Sequence, residues 1–258
     1  MADYVLGDIH ANPNAIKAMC DLIQFNKHHD HLFFIGDLVN SGPDSWGVLD
    51  LIYHHYMDQV TLILGNHDIS FMAKQEGKSL SPHQRLLLSV LTSGKLAHHH
   101  KASDSLLVHA GIWPSWTLNT TLNLAHEATL DIQAAFKRQD LSKHLYSDIH
   151  IWSDRLRGWQ RTTAIINIMT RMRVVDQISG ALNLSYKGGI LKQPDGCCAW
   201  FDRIQTPPTK QVIFGHWSLL EQKNHPSFIC IDHSYTYGGK LMALRLDDNQ
   251  AFFLDAGF

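Results

Sequence analysis

The 258-residue sequence is short of cysteine. Its four cysteines are Cys20, Cys197, Cys198 and Cys230, and none stand at C-x-x-C spacing. Neither a zinc ribbon nor a disulfide framework is therefore indicated. Long apolar runs are also missing: none approaches the roughly 18 residues that a membrane span requires. Charge of one sign is missing too. Twenty-two Lys and Arg face 24 Asp and Glu, a formal net charge of −2. That balance gives no electrostatic footprint for bulk nucleic-acid or membrane binding. The opening Met1-Ala2-Asp3-Tyr4 is acidic and leads into no apolar h-region. No signal peptide is expected, and a cytoplasmic setting is. There is no internal repeat and no low-complexity tract. With 45% hydrophobic and 18% charged residues, the chain reads as folded and globular. A single domain over 1–258 is expected, with a mainly helical and loop insertion at about 113–210.

Histidine, by contrast, is abundant. The 18 histidines nearly match the 22 Lys and Arg together, so histidine governs the charge below neutral pH. Either they are surface filler or some of them bind metal, and their positions along the chain sort them.

Six short apolar runs each end in residues able to bind a metal, four of them through a glycine. Tyr4 to Leu6 precedes Gly7-Asp8, and Leu32 to Ile35 precedes Gly36-Asp37. Thr61 to Leu64 precedes Gly65-Asn66, and Leu106 to Val108 precedes His109. Val212 to Phe214 precedes Gly215-His216, and Phe228 to Ile231 precedes Asp232-His233. Each run reads as a strand buried on both faces. Helices follow the first three: one capped by Asn12-Pro13, one opened by Pro43, one starting near His67. A βαβαβ beginning predicts an α/β protein with a parallel sheet, whose ligands sit outside the carboxyl ends of the strands. Ser81-Pro82 caps a further helix through Leu91. Leu241–Leu246 and Ala251–Leu254 flank a turn and read as a hairpin.

The ligand types are a mixture. Asp8 and His10 lie two apart and point to one side of an extended segment. Asp37 is a carboxylate able to bridge two ions, Asn66 offers a neutral oxygen, and His109 and His216 offer imidazole nitrogens. Such a set suits manganese, iron or zinc better than calcium. Two such metals about 4 Å apart clamp the attacking and leaving oxygens of a phosphoryl group and deprotonate a bridging water. Alone, a Gly-Asp after a strand is usually only a turn. Five such clusters in order are hard to attribute to chance.

The order Gly7-Asp8-Ile9-His10, Gly36-Asp37, Gly65-Asn66-His67-Asp68, His109-Ala110-Gly111, Gly215-His216 resembles that of the calcineurin-like metallophosphatases. Further phrases are similar to the symmetrical bis(5′-nucleosyl)-tetraphosphatase branch. They include Leu156-Arg157-Gly158, Thr170-Arg171-Met172-Arg173, Phe214-Gly215-His216-Trp217 and Gly238-Gly239. The resemblance implies a four-layer α/β/β/α fold with a central β-sandwich. It implies two divalent ions, manganese first, with cobalt, iron or zinc as alternatives. One would be held by Asp8, His10 and Asp37, the other by Asp37, Asn66, His109 and His216. His67 would assist the leaving oxygen, and Arg157, Arg171 and Arg173 would bind substrate. The implied reaction is hydrolysis of diadenosine tetraphosphate to two ADP by a dimetal-bound hydroxide. Nucleotide-capped RNA is a further substrate the family admits. A protein phosphatase on the same fold and a nucleotide sensor with reduced catalysis are the alternatives.

The sequence departs from the family pattern at named places. Asn40-Ser41-Gly42 stands where Asp-Arg-Gly is usual, so a neutral hydroxyl replaces a phosphate-clamping arginine, and an amide is left to orient His67. Asp232-His233-Ser234-Tyr235 stands where Asp-Thr-Gly-Cys is usual. Trp113, Trp116, Trp159 and Trp217 are candidates to stack on adenine, Trp217 foremost because it follows a ligand. His233 is an open candidate. The other thirteen histidines, including His28-His29-His31, His54-His55 and His98-His99-His100, are expected on solvated helix or loop surface.

Overall fold

The computed structural model describes residues 2–145, 149–220 and 225–256. The chain starts β1 (Asp3–Leu6), α1 (Pro13–Leu22), β2 (His31–Phe34), α2 (Ser45–His55), β3 (Val60–Leu62), α3 (Asn66–Lys74) and α4 (Pro82–Thr92). Two strands follow, β4 (Ala97–His100) and β5 (Ser105–Val108). The region from 113 to 210 carries α5 (Leu118–Arg138), α6 (Gly158–Arg171), β6 (Val174–Asp176) and β7 (Cys197–Ala199). The chain then returns to strands: β8 (Gln211–Phe214), β9 (Phe228–Cys230), β10 (Asp232–His233), β11 (Lys240–Arg245) and β12 (Ala251–Asp255).

Two sheets form the centre. The first runs β10-β11-β1-β2-β3, with β12 added on β11. Its β1, β2 and β3 are parallel, with Tyr4 opposite Leu32 and Phe33 opposite Thr61. The second runs β4-β5-β8-β9. Alternation along the strands separates two apolar layers. Val5, Phe33, Leu107 and Ile213 point into a layer between the sheets. Tyr4, Leu6, Leu32, Phe34, Leu106 and Phe214 point outward into a larger layer shared with the helices. Helix α1 lies against β11 and β12, and α5 against β4. Both faces of each sheet are thus covered, which is why the strands read as unbroken apolar runs. The architecture is a four-layer α/β/β/α sandwich.

Local chemistry sets the helix starts. Asn12 accepts a hydrogen bond from the Ala15 N–H at 3.1 Å, with Pro13 in the first turn. Ser81 and Gln84 form a reciprocal capping box at 3.0 and 3.1 Å. Pro43 lies just outside α2, whose cap is Asp44.

One expectation needs correction. His98-His99-His100 is not solvated loop: it forms β4, paired antiparallel to β5, and His100 is buried. His31 opens β2. The run of three imidazoles hid a strand because its apolar contacts come from across the sandwich. The Phe33 ring stacks on His98 at 5.2 Å and meets His100 edge-on at 5.6 Å. The 113–210 region also contains a two-stranded ribbon, β6–β7, besides helix and loop.

Candidate metal centre

All six ligand-bearing strand ends come together at one end of the sandwich. A cavity of about 460 Å³ opens there, lined by Asp8, His10, Asp37, Asn66, His67, His216 and Asp232 among others. The approach is close enough to forbid side chains at two glycines. A Cβ on Gly65 would overlap an Asp37 carboxylate oxygen, and one on Gly215 would overlap an Asp8 carboxylate oxygen. The backbone around the cavity is strained. Among the described residues eleven non-glycines have positive φ. Seven of them are at this end: His10, Ala11, Asp37, Asn40, Ser41, His216 and Ser234. Left-handed backbone costs an L-residue about 1 kcal/mol or more. The strain therefore serves to aim side chains that regular strands could not.

Four buried polar atoms in this cluster have no hydrogen-bond partner: His10 Nδ1, Asn66 Oδ1, His109 Nε2 and His216 Nε2. Buried polar atoms are normally satisfied, and here four orphans converge. Two groups of ligand atoms each lie within 4.8 Å of one another. One is His10, Asp37 and His67; the other is Asp37, His109 and His216. Asp37 belongs to both. The His109 Nε2 is 3.5 Å from Asp37 Oδ1, and its Nδ1 is 2.9 Å from the Ile35 carbonyl oxygen. That second contact fixes the ring and aims Nε2 at the centre. Asp37 also accepts the His67 N–H at 2.8 Å, and Asp8 accepts the His216 N–H at 3.2 Å.

The charges explain what the cavity wants. Asp8, Asp37 and Asp232 are all buried there. Burial pushes Asp8 well above the usual carboxylate range, with Asp232 and Asp37 adding repulsion. Burial likewise pushes Asp232 up to about 6. Burial also opposes ionisation of Asp37, but the His109, His67 and His10 imidazoles outweigh it and hold it far below its ordinary value. Burial disfavours the charged form of His109 as well, but Asp37 and Asp8 raise it to about 9. Burial and the nearby Arg173 drive His216 well below 6.5. Three buried carboxyl groups, the His10, His109 and His216 imidazoles and the Asn66 amide together make a mixed O/N donor set of the kind that could hold divalent cations.

The remaining expected residues divide. His67 Nε2 is 4.0 Å from Asp37 Oδ2, and the His67 and His10 rings meet edge-on at 4.9 Å. Ser41 Oγ lies 3.3 Å from His67 Nδ1, whereas Asn40 donates to the His67 carbonyl at 2.7 Å. The hydroxyl, not the amide, therefore touches the imidazole. Arg171 and Arg173 line the cavity; Arg173 donates to the His216 carbonyl at 3.0 Å, and Arg171 to Asn167 at 2.9 Å. Arg157 does not line it. It is exposed and caps the Asp154 and Leu156 carbonyls at 2.6 and 2.8 Å. Trp217 does not line it either: it is 1% exposed and its Nε1 donates to the Gly188 carbonyl at 2.9 Å. The positive φ of His216 sends its side chain into the cavity and leaves the next residue in the core. Trp116 packs on Trp152, and Trp159 stacks on His144. Among the described residues no tryptophan lines the cavity. His233 meets Phe253 edge-on at 5.3 Å, outside the cavity lining.

Sequence reasoning missed Lys74, Lys187, Tyr235 and Tyr237, which also line the cavity. Lys74 had a readable signal, since it ends the helix that begins at Asn66. The other three arrive on loops and a short turn, with no spacing pattern to announce them.

This geometry and the four-layer sandwich fit a metal-dependent phosphoesterase class, and sequence comparison agrees. Residues 4–217 match the family model for calcineurin-like phosphoesterases, and the chain belongs to that family. It is 36% identical over 268 residues to a symmetrical bis(5′-nucleosyl)-tetraphosphatase of Nitrosomonas europaea, spanning 98% of this chain and 97% of that one. It is 35% identical over 269 residues to the protein of the same name in Chromobacterium violaceum, at 98% and 95% coverage. Among solved structures, one described as a suggested diadenosine tetraphosphatase matches at TM-score 0.66. It is 19% identical and covers 99% of this chain and 94% of that one. A serine/threonine phosphatase from Saccharomyces cerevisiae matches at TM-score 0.50 and 14% identity, covering 99% and 79%. These two support the fold alone.

Proposed function

We propose that the protein is a metal-dependent hydrolase of dinucleoside polyphosphates that splits diadenosine tetraphosphate symmetrically into two ADP. The observation carrying this reading is the set of four orphaned donor atoms converging with buried carboxylates. Relatives at 33–36% identity over nearly the full chain bear the symmetrical tetraphosphatase name, which supplies the substrate.

Asp8, His10 and Asp37 would hold one divalent ion, and Asp37, Asn66, His109 and His216 the other. Manganese is the first metal to test. Bound ions would supply Lewis-acid charge stabilisation and a nucleophile at neutral pH. The rest falls to the chain. Arg171 and Arg173, reinforced by Lys74 and Lys187, neutralise the polyphosphate in the cavity. His67, held by Ser41 at Nδ1, presents Nε2 towards Asp37 and delivers a proton to the departing diphosphate oxygen. In the balance, a water oxygen bonds to one inner phosphorus and the bridging P–O bond to the other inner phosphate breaks. Each half leaves as ADP. No helix among the described residues is long and apolar enough to cross a membrane. A nucleotide substrate of this kind fits the cytoplasmic setting expected from the sequence.

The test is to incubate the protein and manganese with diadenosine tetraphosphate, nucleotide-capped RNA and a phosphopeptide separately. Two ADP from the first supports the proposal. Turnover of the phosphopeptide alone would transfer the reading to a protein phosphatase.

A further inference from the structure

Beside the polar cavity lies a second recess of different chemistry, about 520 Å³ in volume. Its walls are Gly188, Gly189 and Leu191 on one side and Leu219 and Leu220 on the other, with Lys192 as the one charged residue among the described residues. The two volumes adjoin. Ser218 lines both, while Lys187 lines the cavity and the next residue, Gly188, lines the recess.

The recess is built rather than incidental. The 186–192 segment is braced internally and tied to the 217–220 segment by one hydrogen bond and one close backbone contact. Trp217 Nε1 donates to the Gly188 carbonyl at 2.9 Å, and the Tyr186 hydroxyl donates to the Gly189 carbonyl at 2.5 Å. Gly189 packs so closely on the Leu219 carbonyl oxygen that a Cβ would come within 2.6 Å of it. Yet Leu191 and Leu219 remain 79% and 53% exposed. A single exposed leucine needs no explanation. Two of them walling one concavity, beside a polar cavity edged by Arg171, Arg173 and Lys187, do.

We infer that this recess is the nucleobase subsite of the enzyme. The inference rests on the dinucleotide reading above and goes further, because that reading assigns no residue to the base. A nucleotide is bipolar in its chemistry: an anionic phosphate chain and a flat base with apolar faces and a polar edge. The two adjoining volumes divide in the same way. The phosphates lie among Arg171, Arg173 and Lys187, and the ribose spans the Lys187–Gly188 step. The base slides between the Leu191 and Leu219 side chains, as bases do between apolar walls elsewhere. Lys192 and Ser218 stand at the rim, where a donor can reach the base edge. The aromatic stacking expected of Trp217 is thereby replaced by an aliphatic sandwich, with Trp217 bracing the wall from behind.

The test is a Leu191→Asp, Leu219→Asp double variant, with Ile178→Asp as a control for surface polarity, Ile178 being 94% exposed. Circular dichroism and thermal melting confirm that both variants fold. Calorimetric titration with ADP and with inorganic pyrophosphate, in the presence of manganese, is the readout. The double variant is expected to weaken ADP binding about tenfold, the loss of one partly buried apolar contact, and to leave pyrophosphate binding within about twofold of wild type. The control is expected to bind both as wild type does. Equal losses for the two ligands, no loss for either, or no ADP binding by wild type would overturn the inference. Failure of the function reading looks different. Wild type would then not convert diadenosine tetraphosphate to two ADP, while base-dependent ADP binding persisted.

Discussion

Where the strands finish, His10, His109 and His216 each leave a ring nitrogen buried without a partner. Where the same strands begin, His31, His99 and His100 leave none among the described residues. His31 Nε2 meets Thr61 Oγ1, His99 Nε2 meets Asp104, and His100 bridges Asp3 and Ser103, all at 2.7 to 2.9 Å. The His100–Asp3 pair even joins the second sheet to the first. One residue type thus does two jobs. At one end the polar atoms satisfy each other and tie the sandwich. At the other they are held unpaired by strained loops, as the proposed metal site requires.

This contrast breaks first at Asp37, which serves both ligand groups. Asp37→Asn is expected to abolish turnover and to lower the manganese content of the purified protein, read by atomic emission. Activity retained with metal intact would dissolve the contrast. Next in size is His67→Ala, expected to lower kcat by about 10²–10⁴-fold without changing metal content. Arg173→Met follows: losing a charged hydrogen-bond donor, on the order of 2 kcal/mol, raises KM for diadenosine tetraphosphate more than tenfold. Arg157→Ala is expected to leave kcat and KM unchanged, because its guanidinium caps local carbonyls outside the cavity.

The other end predicts stability effects without catalytic ones. His100→Asn strands the Asp3 carboxylate and should lower Tm by about 2–4 °C, from roughly 1 kcal/mol lost, at unchanged kcat. The pH dependence has a definite sign. Burial lowers the His98 pKa from 6.5 to about 4 and lowers His31 as well. Below pH 6.5 the unfolded chain therefore binds protons that the folded chain refuses. Their contribution to stability is complete above pH 6.5 and is lost as pH falls from 6.5 towards about 4. After screening at a half-buried ring it amounts to roughly 1 kcal/mol for His98. Thermal melts across that window check it, and His98→Phe should flatten the slope.

Most of the sandwich could be read from the sequence, because strands buried on both faces are short unbroken apolar runs. The clustering of candidate ligands could be read because each stands at or just beyond the end of such a run, and close approach between strand ends demands glycine there. What could not be read depends on contacts across space. β4 is a strand by virtue of β5 and Phe33, not of its own His-His-His pattern. Trp217 adjoins a ligand in sequence, yet a left-handed residue turns the two apart. Lys187, Tyr235 and Tyr237 reach the cavity through loop paths that no periodicity encodes.

The central claim is that the unsatisfied end of the sandwich hydrolyses the middle of a dinucleoside polyphosphate. Its most direct test is chromatography of the products formed from diadenosine tetraphosphate by the manganese-loaded protein. Two equivalents of ADP, abolished by chelation, is the predicted result; AMP with ATP, or no cleavage at all, would contradict it.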